Sequence, residues 1–276
     1  MSDRPSAIAG SWYPGDAGVL AADIRGYLAG AQTVSPDGRV IGLVVPHAGY
    51  RYSGRIAAAG FAAVREARPD VVAVLSPLHR PHAAPVLTTA HDAYTTPLGR
   101  VALDHAGLQR FAELLHQRMN LELARVLYDQ EHSLEIELPF MQYLWQDFLL
   151  LPIMIRDQSA GTVMAVAEAL VETLANRNAL IVASSDLSHF HDQSEALRLD
   201  KELMRRLEAF DPQAILDGEG EGTAYACGRG AIAAALWAAR SLGAQRVTVL
   251  KHDTSGSVSG DLSSVVGYAS AVIWSG

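Results

Sequence analysis

Three histidines stand just past the ends of three apolar runs. Val40–Val45 leads into Pro46-His47-Ala48-Gly49-Tyr50, Val71–Leu75 into Ser76-Pro77-Leu78-His79, and Ala179–Ser184 into Ser185-Asp186-Leu187-Ser188-His189. Imidazole is the commonest metal ligand and the side chain that ordinarily exchanges a proton near neutral pH, so a histidine cluster suits either task. His79 follows His47 by 32 residues and His189 follows His79 by 110. Those separations exclude a local metal finger and leave the fold to bring the rings together. Pro46 and Gly49 flank His47 with the residue types of a tight, pre-shaped loop.

Two other segments carry unusual chemistry. Cys227 lies in Tyr225-Ala226-Cys227-Gly228-Arg229-Gly230, directly before a helical pattern. It reads either as a small buried apolar side chain or as a thiol at a helix N-terminus, where free N–H groups favour a thiolate able to bind a metal or attack a substrate. The stretch from Glu131 to Pro139 is dense in ionisable groups. Ser133 is expected to cap a helix that carries Glu135 and Glu137 in its first turn. His132 and Glu135, three apart, would share a helix face, and either could hydrogen-bond to a metal-binding histidine from behind. His82, His91, His105, His116, His191 and His252 lack the strand-end context and are read as surface or structural residues.

The elements that must position these groups follow from the apolar pattern. Val40–Val45, Val71–Leu75, Leu149–Ile155 and Ala179–Ser184 are short and almost wholly apolar, as strands buried on both faces are. GRIAAAGFAAVREA, between the first two, has helical spacing and predicts a parallel strand–helix–strand unit. Helices are expected at about residues 17–28, 159–176 and 194–210 and from about Gly228, with Arg246–Lys251 and Val265–Trp274 as the last strands. The stretch Ser255–Ser264 is read as a long loop. No linker or repeat divides the chain, so a single α/β domain over residues 1–276 with a mixed sheet is predicted. In such sheets ligands bind outside the carboxyl ends of the strands, where the three histidines fall.

Composition narrows the function classes. Of 276 residues 49% are apolar, which supports a sizeable core and excludes disorder as the main state. The net charge of −8 gives no basic surface for nucleic acid. No apolar run is long enough to cross a bilayer, and the N-terminus lacks the apolar region of a secretory signal. A single cysteine cannot form an internal disulfide, so a cytoplasmic location is expected. There is no G-x-S-x-G elbow, no phosphate-binding G-x-x-x-x-G-K-[ST] loop and no G-x-G-x-x-G after the first strand.

Taken together, AGSWYPGD, VVPHAGYRYSG, YTTPLG, EHSLEIELPF, SSDLSHF, ACGRGAI and SSVVGYAS resemble the Memo family, known in prokaryotes as AmmeMemoRadiSam system protein B. The motifs cover nearly the whole chain in the family's order. One departs: the family's G-P-S-H reads Ser76-Pro77-Leu78-His79 here, so a hydroxyl beside the histidine is lost and Arg80 follows. The resemblance implies an α/β/α sandwich like that of the class III extradiol dioxygenases. It implies that His47, His79 and Cys227 are metal-site residues and that Asp186 and His189 line the same pocket, with His189 at the acid/base position. In those dioxygenases Fe(II) is held by two histidines and a carboxylate, which Cys227 would replace. A thiolate still suits iron and raises the affinity for copper and zinc.

Two kinds of function are therefore expected. One is a metal-dependent oxidoreductase, with one divalent or redox-active ion, Fe(II) before copper or zinc, and His189 moving protons with help from Asp186. The other is a non-catalytic binding or adaptor protein that holds a metal, small molecule or peptide in the same pocket, with Tyr50 as a rim candidate and Trp12 as a weaker one. The family name also implies AMMECR-type and radical-SAM protein partners. The chain has no C-x-x-x-C-x-x-C cluster of its own.

Overall fold

Runs in which every residue is apolar can be buried only where both faces of a strand are covered, and the computed structural model places them there. It describes residues 2–32 and 38–276. In chain order the elements begin with β1 (Asp3–Arg4), α1 (Ala17–Ala29), β2 (Val40–Val45), α2 (Tyr50–Ala62), β3 (Val71–Pro77), β4 (Val86–Thr89), β5 (Ala93–Thr96), β6 (Gly99–Ala102), α3 (His105–Met119) and β7 (Leu123–Val126). A single 3-10 turn at Glu135–Glu137 precedes α4 (Leu138–Leu144), β8 (Leu149–Ile155), α5 (Ala160–Leu174), β9 (Ala179–Ser184) and β10 (His189–His191). The chain closes with α6 (Gln193–Glu208), α7 (Pro212–Asp217), α8 (Arg229–Ser241), β11 (Arg246–Thr254), α9 (Gly256–Ser259) and β12 (Val265–Trp274).

The main sheet runs β10-β12-β2-β9-β3-β8-β4-β7, with β11 also paired to β12. Its centre, β2-β9-β3-β8, is parallel throughout. β12 and β4 join this centre antiparallel on either side. Helices α1, α2 and α4 contact one another, with α2 against β2, β11 and β12; α3, α5, α7 and α8 form a second packed set, with α8 against β2, β3 and β9. The result is a three-layer α/β/α sandwich. A small separate sheet, β1-β5-β6, carries the N-terminal segment.

The strands predicted at 40–45, 149–155, 179–184 and 265–274 have the observed bounds. The expected parallel β2–α2–β3 unit is present. β2 and β3 are parallel, but β9 lies between them and pairs with both. The same insertion brings the ends of all three histidine-bearing strands side by side. α2 starts at Tyr50 and ends at Ala62, earlier than its apolar pattern suggests. The expected loop at 255–264 contains the short helix α9, closed by Gly260 at φ +76°, a left-handed turn that glycine adopts without strain.

Candidate metal centre

The ends of β2 and β3 and the turn before α8 deliver two imidazoles and a thiol to one point. One donor atom each from His47, His79 and Cys227 lie within 4.8 Å of one another. Cys227 Sγ is 3.1 Å from His47 Nε2. The two imidazoles meet edge to face, with ring centroids 5.2 Å apart. His47 is buried, Cys227 half-buried, and the His79 side chain about one-third exposed at the open side.

His47 is held from behind. Its Nδ1 lies 2.9 Å from Ser184 Oγ at the end of β9. That hydroxyl also lies 2.6 Å from Ser133 O and 2.9 Å from Glu137 Oε1. A hydroxyl has one proton, which it gives to the Ser133 carbonyl; His47 Nδ1–H and a protonated Glu137 then donate to its oxygen. Burial indeed pushes the Glu137 carboxyl well above its ordinary range. This arrangement leaves the His47 Nε2 lone pair facing Cys227. Burial, with the nearby His132 and His79 rings, also holds His47 well below the usual histidine range, so it is neutral and able to coordinate.

His79 is held by Glu131. The carboxylate accepts the His79 backbone N–H at 2.6 Å and lies 2.9 Å from its Nδ1. Its Oε1 also accepts the backbone N–H groups of His132 and Ser133. Burial opposes the charge, but these hydrogen bonds, His79's first, outweigh it and keep Glu131 well below the carboxylate range. A carboxylate behind an imidazole fixes its tautomer and raises its basicity as a ligand.

His132 is a third ring in the cluster. It stacks on His79 at 4.7 Å and 18° and packs against Trp12 at 4.2 Å. Burial lowers it to about 4. Burial raises the Cys227 thiol above its ordinary value, and the nearby Asp186 charge adds to this. Of the two readings of Cys227, the raised thiol fits the small buried side chain better than the dipole-activated thiolate, and a bound cation would have to displace the proton.

The remaining predicted residues are placed as follows. Asp186 is buried beneath His47, where Oδ1 accepts the His47 and Ala48 backbone N–H groups at 2.8 and 3.3 Å. Burial raises it to about 7 against those two bonds. Among the described residues it makes no hydrogen bond to His189. His189 is half-buried, with Nδ1 2.8 Å from Leu187 O, and burial lowers it. Tyr50 is buried away from the cluster, its hydroxyl donating to Ile136 O at 2.9 Å.

The reading of 131–139 needs two corrections. Ser133 caps no helix; its hydroxyl donates to Pro77 O. Glu135 does not orient a cluster histidine. It accepts Arg4 Nη1 at 2.6 Å, Ser6 Oγ at 2.5 Å and Tyr13 Oη at 2.8 Å, and so anchors the N-terminal segment. Arg4, fully buried, also donates to both Asp129 carboxylate oxygens and to the Glu131 carbonyl at 2.8 Å. The sequence reading gives Glu131, Ser184 and Arg4 no role at this site and takes Glu137 only for a helix-start residue. A usable signal existed for Glu131, an acid directly preceding His132.

Known proteins extend this picture. The profile of a family described as Memo-like protein matches residues 4–272. A MEMO1 family protein of Nitrosopumilus maritimus is 34% identical, covering 96% of this chain and 97% of that protein. One from Thermotoga neapolitana is 36% identical, covering 98% and 99%. Among solved structures, an uncharacterized protein of Escherichia coli K12 aligns with a TM-score of 0.55 over 85% of this chain and all of that one. At 14% identity that likeness concerns the fold alone. Among the described residues no helix is long and apolar enough to cross a membrane.

Proposed function

The chain belongs to the Memo-like family, and from that premise we propose that it binds one divalent or redox-active ion, Fe(II) before copper or zinc, and works as a metal-dependent oxidoreductase. The observation that carries the reading is the convergence of His47, His79 and Cys227 within 4.8 Å. The donor set fits such an ion: two imidazoles fixed from behind and a thiol that becomes a thiolate on binding. When bound, the ion supplies Lewis acidity and one-electron chemistry at coordination positions left open by three protein ligands.

The chain's own groups do the rest. Ser184 and Glu131 hold the two rings so that each presents Nε2. Asp186 pins the backbone at His47 and Ala48. His189 donates Nδ1–H to Leu187 O, which leaves Nε2 as the basic nitrogen. Lowered by burial, that nitrogen is free near neutral pH to take a proton from a bound small molecule or peptide. A second donor group, His79–Glu131–His132, shares His79. We assign Glu131 an orienting role because its oxygens are already engaged by four N–H groups.

The test is metal analysis of protein purified without chelators, beside Cys227→Ser and His47→Ala. Wild type is expected to retain about one equivalent and the variants far less. Anaerobic Fe(II) loading then allows oxygen uptake to be measured over phenolic substrates. Equal metal in all three proteins overturns the ligand set. Metal binding without uptake overturns the oxidoreductase assignment and leaves a binding protein, for which AMMECR-type and radical-SAM proteins are the partners to try.

A further inference from the structure

Behind the wall formed by Trp12 lies a second cavity, of about 710 Å³, between α1, α2 and the end of β11. Its size is that of a small-molecule site. Arg51 and Arg55 of α2 line it, one helical turn apart, together with Lys251 of β11. Like charges a turn apart on one helix face repel and cost stability unless an anion lies between them. Lys251 is one of only two lysines in the chain. Among the described residues none of the three cations makes an ion pair, whereas Arg4, Arg118, Arg177 and Arg206 do.

Two carboxylates, Asp23 and Asp253, also line the cavity. Asp253 Oδ1 is already engaged by the Thr254 N–H and the Ser257 hydroxyl. Three cations against two acids leave the lining net positive, in a chain whose net charge is −8. Trp12, Tyr27 and Tyr52 also line the cavity, and the Arg51 guanidinium lies over the Tyr52 ring, 5.7 Å from its centre. A smaller hollow of about 450 Å³ shares Asp23, Tyr27, Arg55 and Lys251, so Arg55 and Lys251 are reached from two sides.

We infer that this cavity is a second ligand site, for a small organic anion that carries two or more negative charges on a planar body. Arg51, Arg55 and Lys251 take the charge, with the arginine forks suited to carboxylate or phosphate oxygens. Trp12, Tyr27 and Tyr52 take the planar body. The site uses no metal ligand. Trp12, in its lining, packs against His132 of the metal centre.

The experiment is isothermal titration of metal-free full-length protein with trimesate, a benzene ring bearing three carboxylates, in about 0.1 M salt to screen diffuse charge effects. Tricarballylate supplies the same charges without the ring. Saturable trimesate binding is expected, with tricarballylate weaker. Arg55→Ala and Lys251→Ala should each weaken trimesate by roughly tenfold or more, the scale of one charge-assisted contact. Arg25→Ala, which removes an exposed cation of α1 outside the cavity, should leave it unchanged. Absence of saturable binding below about 1 mM overturns the inference. So does an equal loss in Arg25→Ala, or equal affinity for the two anions. Loss in His47→Ala with retention in Arg55→Ala would place the anion at the metal centre and also overturn it. Metal retention is read separately, so either proposal can fail while the other stands.

Discussion

The carboxylate of Glu131 grips His79 twice, through the backbone N–H at 2.6 Å and the ring Nδ1 at 2.9 Å. The strand end and the imidazole orientation are thereby set by a single buried group. Glu131→Gln keeps the shape but replaces one acceptor oxygen by a donor that faces N–H groups. Metal affinity should fall about 10- to 100-fold, the usual cost of losing such a partner. Competition against a chromophoric chelator reads this out; unchanged affinity would show that His79 needs no orienting group.

Metal uptake should strengthen with pH. Burial keeps Cys227 protonated across the neutral range, so binding must release its proton. His47 is lowered by burial and contributes no competing proton there. One proton released per ion bound corresponds to at most about a tenfold gain in apparent affinity per pH unit. Titrations at three pH values between 6 and 8 check the slope, and Cys227→Ser should flatten it as well as weaken binding.

Much of this centre was legible in local sequence because its ligands follow strands that leave no choice. Val40–Val45 and Ala179–Ser184 are almost wholly apolar, so both their bounds and the exits toward His47 and His189 can be read directly. The small strands β4, β5, β6 and β7 could not be, since four residues of mixed polarity carry no period. Nor does any local window say that β9 sits between β2 and β3; that order is decided by which helices cover which face. Glu131 and Glu137 stayed hidden for a related reason. Their partners, His79 and Ser184, are 52 and 47 residues distant, so no local window shows that the two acids are buried orienting groups.

Arg4 is a stability prediction. Its guanidinium, fully buried, pairs with Asp129 at 2.8 Å and Glu135 at 2.6 Å. Arg4→Ala would leave those acids without their cation and should cost about 3–5 kcal/mol, the range for breaking one side of a buried ion pair. Arg4→Lys restores the charge but not the fork and should recover only part of it. Urea unfolding at pH 7 measures both; a loss under about 1 kcal/mol for Arg4→Ala would mean the network is not coupled to folding.

Glu137 yields the opposite kind of result, a buried acid whose replacement by its neutral isostere should help. Burial raises its folded-state value well above the ordinary one. Between the unfolded value, about 4.3, and that raised value the native state holds a proton that the unfolded chain has released. Stability from this group is therefore complete below about pH 4 and is lost as pH rises, by up to about 1.4 kcal/mol per pH unit. Asp186, raised to about 7, acts in the same direction, so the whole protein should weaken from pH 5 to 8 in part through these two groups. Glu137→Gln cannot ionise, and its amide N–H can still donate to Ser184 Oγ, the contact that stands behind His47. The variant should match wild type near pH 4, exceed it at pH 8, and keep its metal. Denaturant midpoints at the two pH values decide the matter: a Glu137→Gln protein weaker than wild type at pH 8 would mean that the carboxyl is ionised in the folded chain and that Ser184 is held by a different pattern of donors.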